Sequence, residues 1–154
     1  MILTVLLAYI GSVTSGLLFN IKGRKLIFAG ISGLVGFAVY TLMYQHTEHN
    51  IISIFIGAIA VGLYSETAAR LLKAPATVFS IPGILPLVPG IAAYEMMQFI
   101  VSNEPSAATG KMIETAEGSG AIAFGIMIIA AVFRFISRIK KRKQMDTANK
   151  KAAQ

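Results

Sequence analysis

The chain has 154 residues, 55% of them hydrophobic and 14% charged, with a net charge of +7 and no cysteine. A soluble domain carries about a quarter of its residues as Asp, Glu, Lys and Arg, so the composition excludes an ordinary globular domain. The absence of cysteine excludes disulfides and thiol chemistry. The apolar residues fall in blocks long enough for a hydrocarbon layer roughly 30 Å thick, which takes about 20 residues of helix. The expectation is an all-α integral membrane protein with about five transmembrane helices, at roughly 2–19, 26–44, 51–69, 76–101 and 118–136. These make a domain over 1–139, with a basic cytoplasmic tail at 140–154.

Span 1 opens MILTVLLAYIGSV with no Lys or Arg ahead of its apolar core. It reads as a retained first span rather than a cleaved leader. Small residues recur four apart in several spans: Ser12 and Gly16, Ala29 and Gly33, Ser32 and Gly36, Ala58 and Gly62, Ala121 and Gly125. That spacing puts each pair on one helix face, where backbones can approach closely. Packing within one bundle and packing against a second subunit are both open, the latter including a homo-oligomer.

The loop 45–50, QHTEHN, offers His46, Glu48 and His49 but no fourth ligand, so no metal site is expected there. The segment 103–120 reads as a polar external connection, with Pro105 and Gly110 arguing against one long helix. If the spans alternate, 13 of the 14 basic residues share one side and only Lys111 lies on the other. The positive-inside rule then puts the N-terminus outside and the C-terminus in the cytoplasm of a cell-membrane protein. The tail, RFISRIKKRKQ onward, is placed to meet anionic lipids rather than nucleic acid.

Span 4 is the irregular one. Pro82, Pro86 and Pro89, with Gly83 and Gly90, interrupt an otherwise apolar run. Each proline removes a donor and frees a carbonyl one turn upstream, and lipid cannot satisfy it. A kinked structural helix would explain one proline. Three within eight residues favour a solute or ion site at a helix broken between Ser80 and Gly90. The N–H groups of residues 90–93 would then face the cavity and suit a carboxylate.

Glu66 and Arg70 are spaced for an i,i+4 pair near the cytoplasmic end of span 3. An interfacial salt bridge and a cytoplasmic gate are both open readings. Glu95, on the restarted half-helix, marks either a proton or ion path or an external vestibule. No catalytic constellation appears within the spans, so neither an enzyme nor a cofactor is expected.

At residues 65–94 the chain resembles the threonine/serine exporter family, in particular the small membrane subunits similar to the C-terminal half of those exporters. The small subunit of the bacterial succinate exporter is one such. The resemblance rests on Glu66 and Arg70, Lys73 and Pro75, the PLVPG stretch with Pro86, Pro89 and Gly90, and Tyr94. It implies a half-transporter whose partner is a larger subunit with a soluble N-terminal region. Its cargo would be a small carboxylate-bearing solute, an amino acid or a dicarboxylate. The expected function is therefore that of one membrane subunit of a two-component secondary exporter. The competing reading is an accessory subunit that stabilises a transporter without lining its path. Pro82, Gly83, Pro86, Pro89, Gly90 and Tyr94 are the candidate solute residues, with Glu66, Arg70 and Glu95 at a gate or proton path.

Overall fold

The computed structural model describes residues 2–152, without the side chains of 140, 141 and 143–152. The elements are α1 (Ile2–Leu18), α2 (Arg24–Thr47), α3 (Asn50–Leu71), α4 (Thr77–Ile84) with a 3-10 turn at Leu85–Leu87, α5 (Gly90–Val101) and α6 (Pro105–Ala152). The chain is all-α. The helices α2, α3 and the 105–139 part of α6 are each long and apolar enough to cross a membrane. The pair α4–α5 makes a fourth candidate, bent by 56°, and α1 is a shorter apolar helix of 17 residues.

Three helices stop in the same way. Asn20, Lys73 and Asn103 take left-handed φ values of 57°, 46° and 61°. The following N–H groups of Ile21, Ala74 and Glu104 then reach back to the carbonyls of Gly16, Ala69 and Phe99 at 3.0, 3.0 and 2.9 Å. This closes orphan carbonyls that each helix end would otherwise leave. Lys73 bears the Cβ strain of that conformation, and Pro75 then prevents the helix from resuming.

Small residues set the packing. Gly33 lies against Ser12, so α1 and α2 run antiparallel in near contact. Gly36 and Gly57 bring α2 and α3 so close that a Cβ on Gly57 would stand 3.0 Å from the Gly36 carbonyl. Gly125 faces Ala58, and Gly62 faces Ile129. The packing within one bundle therefore uses these small-residue faces. Gly11 is different, with open space around it.

The pairings 58 with 125 and 62 with 129 also show that α3 and α6 run parallel. The α4–α5 segment must therefore travel the length of the bundle from the end of α3 to the start of α6. Its first half, α4, runs along α2 and α3, with Gly83 lodged against Ser32 and Val61, and its second half, α5, packs against α6. Ile54, Ala58, Val61, Leu87, Ala121 and Ile122 form the core beside it, and Ala29, Ala68, Ala69 and Phe79 form a second cluster.

One expectation changes. The segment 103–120 is helical from Pro105 onward, continuous with the span after it. Proline at the first helical position loses no hydrogen bond, because that N–H has no intrahelical partner anyway. The helix continues past Ile139 to Ala152, into the stretch read as the basic tail. The side chains of Lys140, Lys141, Lys143, Lys150 and Lys151, on which lipid contact was expected, lie outside the described residues.

Three substitutions test this packing and the helix that starts at Pro105. Gly33→Val should overlap Ser12 and lower thermal stability in detergent by about 1–3 kcal/mol, the usual cost of overpacking, whereas Gly11→Val should leave it unchanged. Gly110→Ala should raise stability by about 0.8–1 kcal/mol if the residue is helical. Differential scanning of the three variants checks both.

Candidate functional site

The break in the fourth span follows from its prolines. Pro82 is accommodated inside α4, and the helix tightens into the 3-10 turn rather than stopping there. Pro86 deprives the Pro82 carbonyl of its donor, and Pro89 does the same to Leu85. The Leu85 carbonyl recovers an N–H from Val88 at 3.3 Å. Val88, as the residue before a proline, is extended at φ −61°, ψ 131°. The Gly90 N–H closes a tight turn onto the Val88 carbonyl at 2.7 Å, and α5 begins. The interruption is thus narrower than the expected Ser80–Gly90 and falls at Val88–Pro89.

A cavity of about 410 Å³ opens beside this break. Tyr40, Asn50, the run Pro86–Ala92, Glu95, Lys111 and Glu114 line it. The Tyr40 hydroxyl donates to Asn50 Oδ1 at 3.0 Å, fixing two polar groups on one wall. On the opposite wall Lys111 Nζ lies 2.8 Å from Glu95 Oε2 and 2.9 Å from Glu114 Oε2. Glu95 sits on α5 and the other two on α6, so the triad clasps the α5–α6 hairpin.

The hydrogen bond to Glu95, then that to Glu114, raises the Lys111 pKa above the ordinary lysine value. With a raised folded pKa, the ammonium's contribution is complete below the unfolded lysine pKa. It is lost only as pH climbs through the folded value, so Lys111 stays charged at neutral pH. Two carboxylates facing one ammonium leave the cluster with a surplus negative charge. The start of α5 adds donors. Gly90 N–H is used by the turn, and Ala93 N–H goes to the Pro89 carbonyl at 3.1 Å. Only Ile91 and Ala92 of the expected 90–93 set remain without a backbone partner. The wall therefore offers both an anion-binding and a cation-binding face within one cavity.

The structure brings together Pro86, Pro89, Gly90 and Glu95 of the expected site residues. A Cβ on Gly90 would meet nothing within 4 Å, so the position is open. Pro82 and Gly83 are buried in helix packing instead. Tyr94 is 69% exposed and stands outside the cavity. Glu66 lines a separate cavity of about 190 Å³ near the other end of the bundle.

The Glu66–Arg70 ion pair does not form among the described residues. Arg70 turns to α6, where its guanidinium stacks 4.5 Å from the Phe133 ring centre and donates to Ser137 Oγ at 3.2 Å. The parallel α6 lies close enough to compete with an exposed i,i+4 pair, which is itself worth only a few tenths of a kcal/mol.

Lys111, Tyr40, Asn50 and Glu114 were missed as site residues. Lys111 carried one signal, as the single basic residue that the alternating-span reading puts on the side opposite the other thirteen. The other three carried none, since their grouping depends on how α2, α3 and α6 meet.

A family model described as "Threonine/Serine exporter, ThrE" matches residues 4–132. The chain is 26% identical over 131 residues to a protein of Mycobacterium tuberculosis described as "Probable threonine/serine exporter". The alignment takes in 82% of this chain and 25% of that protein, so the chain spans about a quarter of the relative's length. No solved structure matches it.

Because the chain has no cysteine, single cysteines report access to the cavity cleanly. Gly90→Cys should react with a water-soluble maleimide on the order of tenfold faster than Leu87→Cys, since thiol reactivity follows exposure and Leu87 is 4% exposed. Equal rates would mean that the cavity is closed to water.

Proposed function

Since the chain belongs to the threonine/serine exporter family, we propose that it is one membrane subunit of a two-component secondary exporter and that the cavity at the α4–α5 break receives the solute. The observation that carries this reading is the Glu95–Lys111–Glu114 cluster facing the open position at Gly90. Lys111 with the free N–H groups of Ile91 and Ala92 suits a carboxylate, and the surplus carboxylate suits an ammonium. That pairing favours a small amino acid over a dicarboxylate, whose second negative charge would meet Glu95 or Glu114.

Proton coupling and a cell-membrane location complete the reading. The chain crosses five times, with α4–α5 as one broken crossing, the N-terminus outside and the C-terminus cytoplasmic. The bias of basic residues supports this orientation. A larger partner with a soluble N-terminal region would supply a second set of spans in the opposite sense, an arrangement that suits alternating access. The aligned stretch is 25% of the mycobacterial relative, whose remaining length leaves room for a second set of spans and a soluble region.

Efflux of labelled threonine, serine and succinate, from cells expressing the chain with its partner at matched protein levels, tests the function. Gly90→Leu should fill the cavity and abolish export while leaving membrane insertion intact. Lys111→Gln should reduce threonine export by about tenfold or more, the loss of one charge-assisted contact of about 1.5–3 kcal/mol. Pro86→Ala should impair export by extending the helix over the break. If all three export like the parent, the chain is an accessory subunit. Reporter fusions at Gln45 and Ser106 should read external, and those at Gly23 and Lys143 cytoplasmic; a cytoplasmic signal at Gln45 overturns the orientation.

A further inference from the structure

The cavity around Glu66 lies between α3, α4 and α6, at the opposite end of the broken span from the cavity described above. It measures about 190 Å³, and Ser65, Glu66, Thr77, Ser80 and Arg134 form its polar lining. On each wall the order is the same. Along α3 the first cavity touches Asn50 and Ile54 and the second touches Gly62, Ser65 and Glu66. Along α6 the first touches Lys111 and Glu114, and the second touches Ile126 through Arg134. Along the fourth span it is Pro86–Glu95 against Ala76–Ser80. About 12 Å of α3, eight residues at 1.5 Å each, separates Ile54 from Gly62.

What lies between them is a packed plug. Val61 is fully buried and Leu87 is 4% exposed. Gly83 is wedged between Ser32 and Val61, and Ser32 Oγ and Ser65 Oγ share a buried hydrogen bond at 3.1 Å. The two cavities are therefore separate in this conformation, and the plug between them joins Gly83 and Leu87 of the broken span to Ser32 of α2 and Val61 and Ser65 of α3.

Like the first, the second cavity holds an acid and a base on different helices, and Ser65, Thr77 and Ser80 are part of its lining. Arg70, the cation nearest to Glu66 in sequence, is turned away onto Phe133 and Ser137. That leaves Glu66 without an ion pair among the described residues, facing a cavity that Arg134 also lines. An unpaired carboxylate is suited to an ammonium, a guanidinium to a carboxylate, and Thr77 and Ser80 to a small hydroxyl.

Resting on the function proposed above, we propose that this cavity is a second solute subsite, specific for zwitterionic amino acids. Glu66 takes the ammonium and Arg134 the carboxylate. The solute path then runs through this chain, from one subsite past Val61, Gly83 and Leu87 to the other.

The test uses Ala76→Cys in the otherwise cysteine-free full-length chain, in membranes, with a water-soluble maleimide. Threonine should slow alkylation at Ala76→Cys and leave an exposed control, Ser106→Cys, unaffected. N-acetylthreonine, which lacks the ammonium, and threoninol, which lacks the carboxylate, should not protect. Adding Glu66→Gln or Arg134→Gln should raise the protective threonine concentration at least about tenfold, a difference of 1.4 kcal/mol. Protection that survives both substitutions, or that all three compounds give equally, overturns the proposal. Protection at Gly90→Cys without protection at Ala76→Cys overturns it while leaving the first subsite standing. Protection at neither position, with no threonine export by the parent, removes both.

Discussion

Hydrocarbon gives helices no hydrophobic reason to associate, so this bundle depends on how closely its backbones can approach. Gly33 on Ser12, Gly36 against Gly57 and Gly125 on Ala58 are points of close approach. At each, a single Cβ would displace a neighbour, and at Gly36–Gly57 and Gly125 the neighbour includes main-chain carbonyl oxygen. These contacts fix α1, α2, α3 and α6 as a frame. Within that frame the segment 77–101 has one course to follow, and its break has one place to fall.

The frame also explains why the break is tolerated. A helix interrupted by Pro86 and Pro89 exposes carbonyls that lipid would leave unpaired. Here the interruption lies against protein on one side and a polar cavity on the other. The 3-10 turn, the Val88 N–H and the tight turn at Gly90 satisfy part of the deficit locally. The run Pro86–Ala92 borders the space that Tyr40, Asn50 and the Glu95–Lys111–Glu114 cluster surround. The irregular backbone and the polar cavity thus need one another, a relation that runs through membrane transporters generally.

Charge is distributed to match. The clasp of Lys111 by two carboxylates holds the α5–α6 hairpin together at one end of the bundle. At the other end Arg70 is drawn onto the Phe133 ring, which strengthens the α3–α6 contact and leaves Glu66 open to its cavity. The same parallel pairing of α3 and α6 therefore produces both ends. It brings Lys111 and Glu114 to the end of the bundle where α3 starts at Asn50, and Arg134 level with Glu66.

The sequence by itself determined the membrane class, the all-helical fold, the family and the presence of a break in the fourth span. Each follows from properties local in the chain: block length, proline chemistry, and an ordered motif from Glu66 to Tyr94. It also placed Pro86, Pro89, Gly90 and Glu95 near one another, because they are neighbours along one segment. It misjudged residues 103–120, since Pro105 as a helix breaker and Pro105 as a first helical residue differ only in what precedes it. It paired Glu66 with Arg70 on spacing alone, and put Tyr94 at the site because it belongs to the motif. Only the tertiary structure decided those cases. Which face of α5 meets α6, which helix lies beside Arg70 and which lysine reaches Glu95 depend on interhelical distances. Those distances are set by pairs such as Ala58 and Gly125, 67 positions apart in the chain, and no local pattern encodes which small residue will find which.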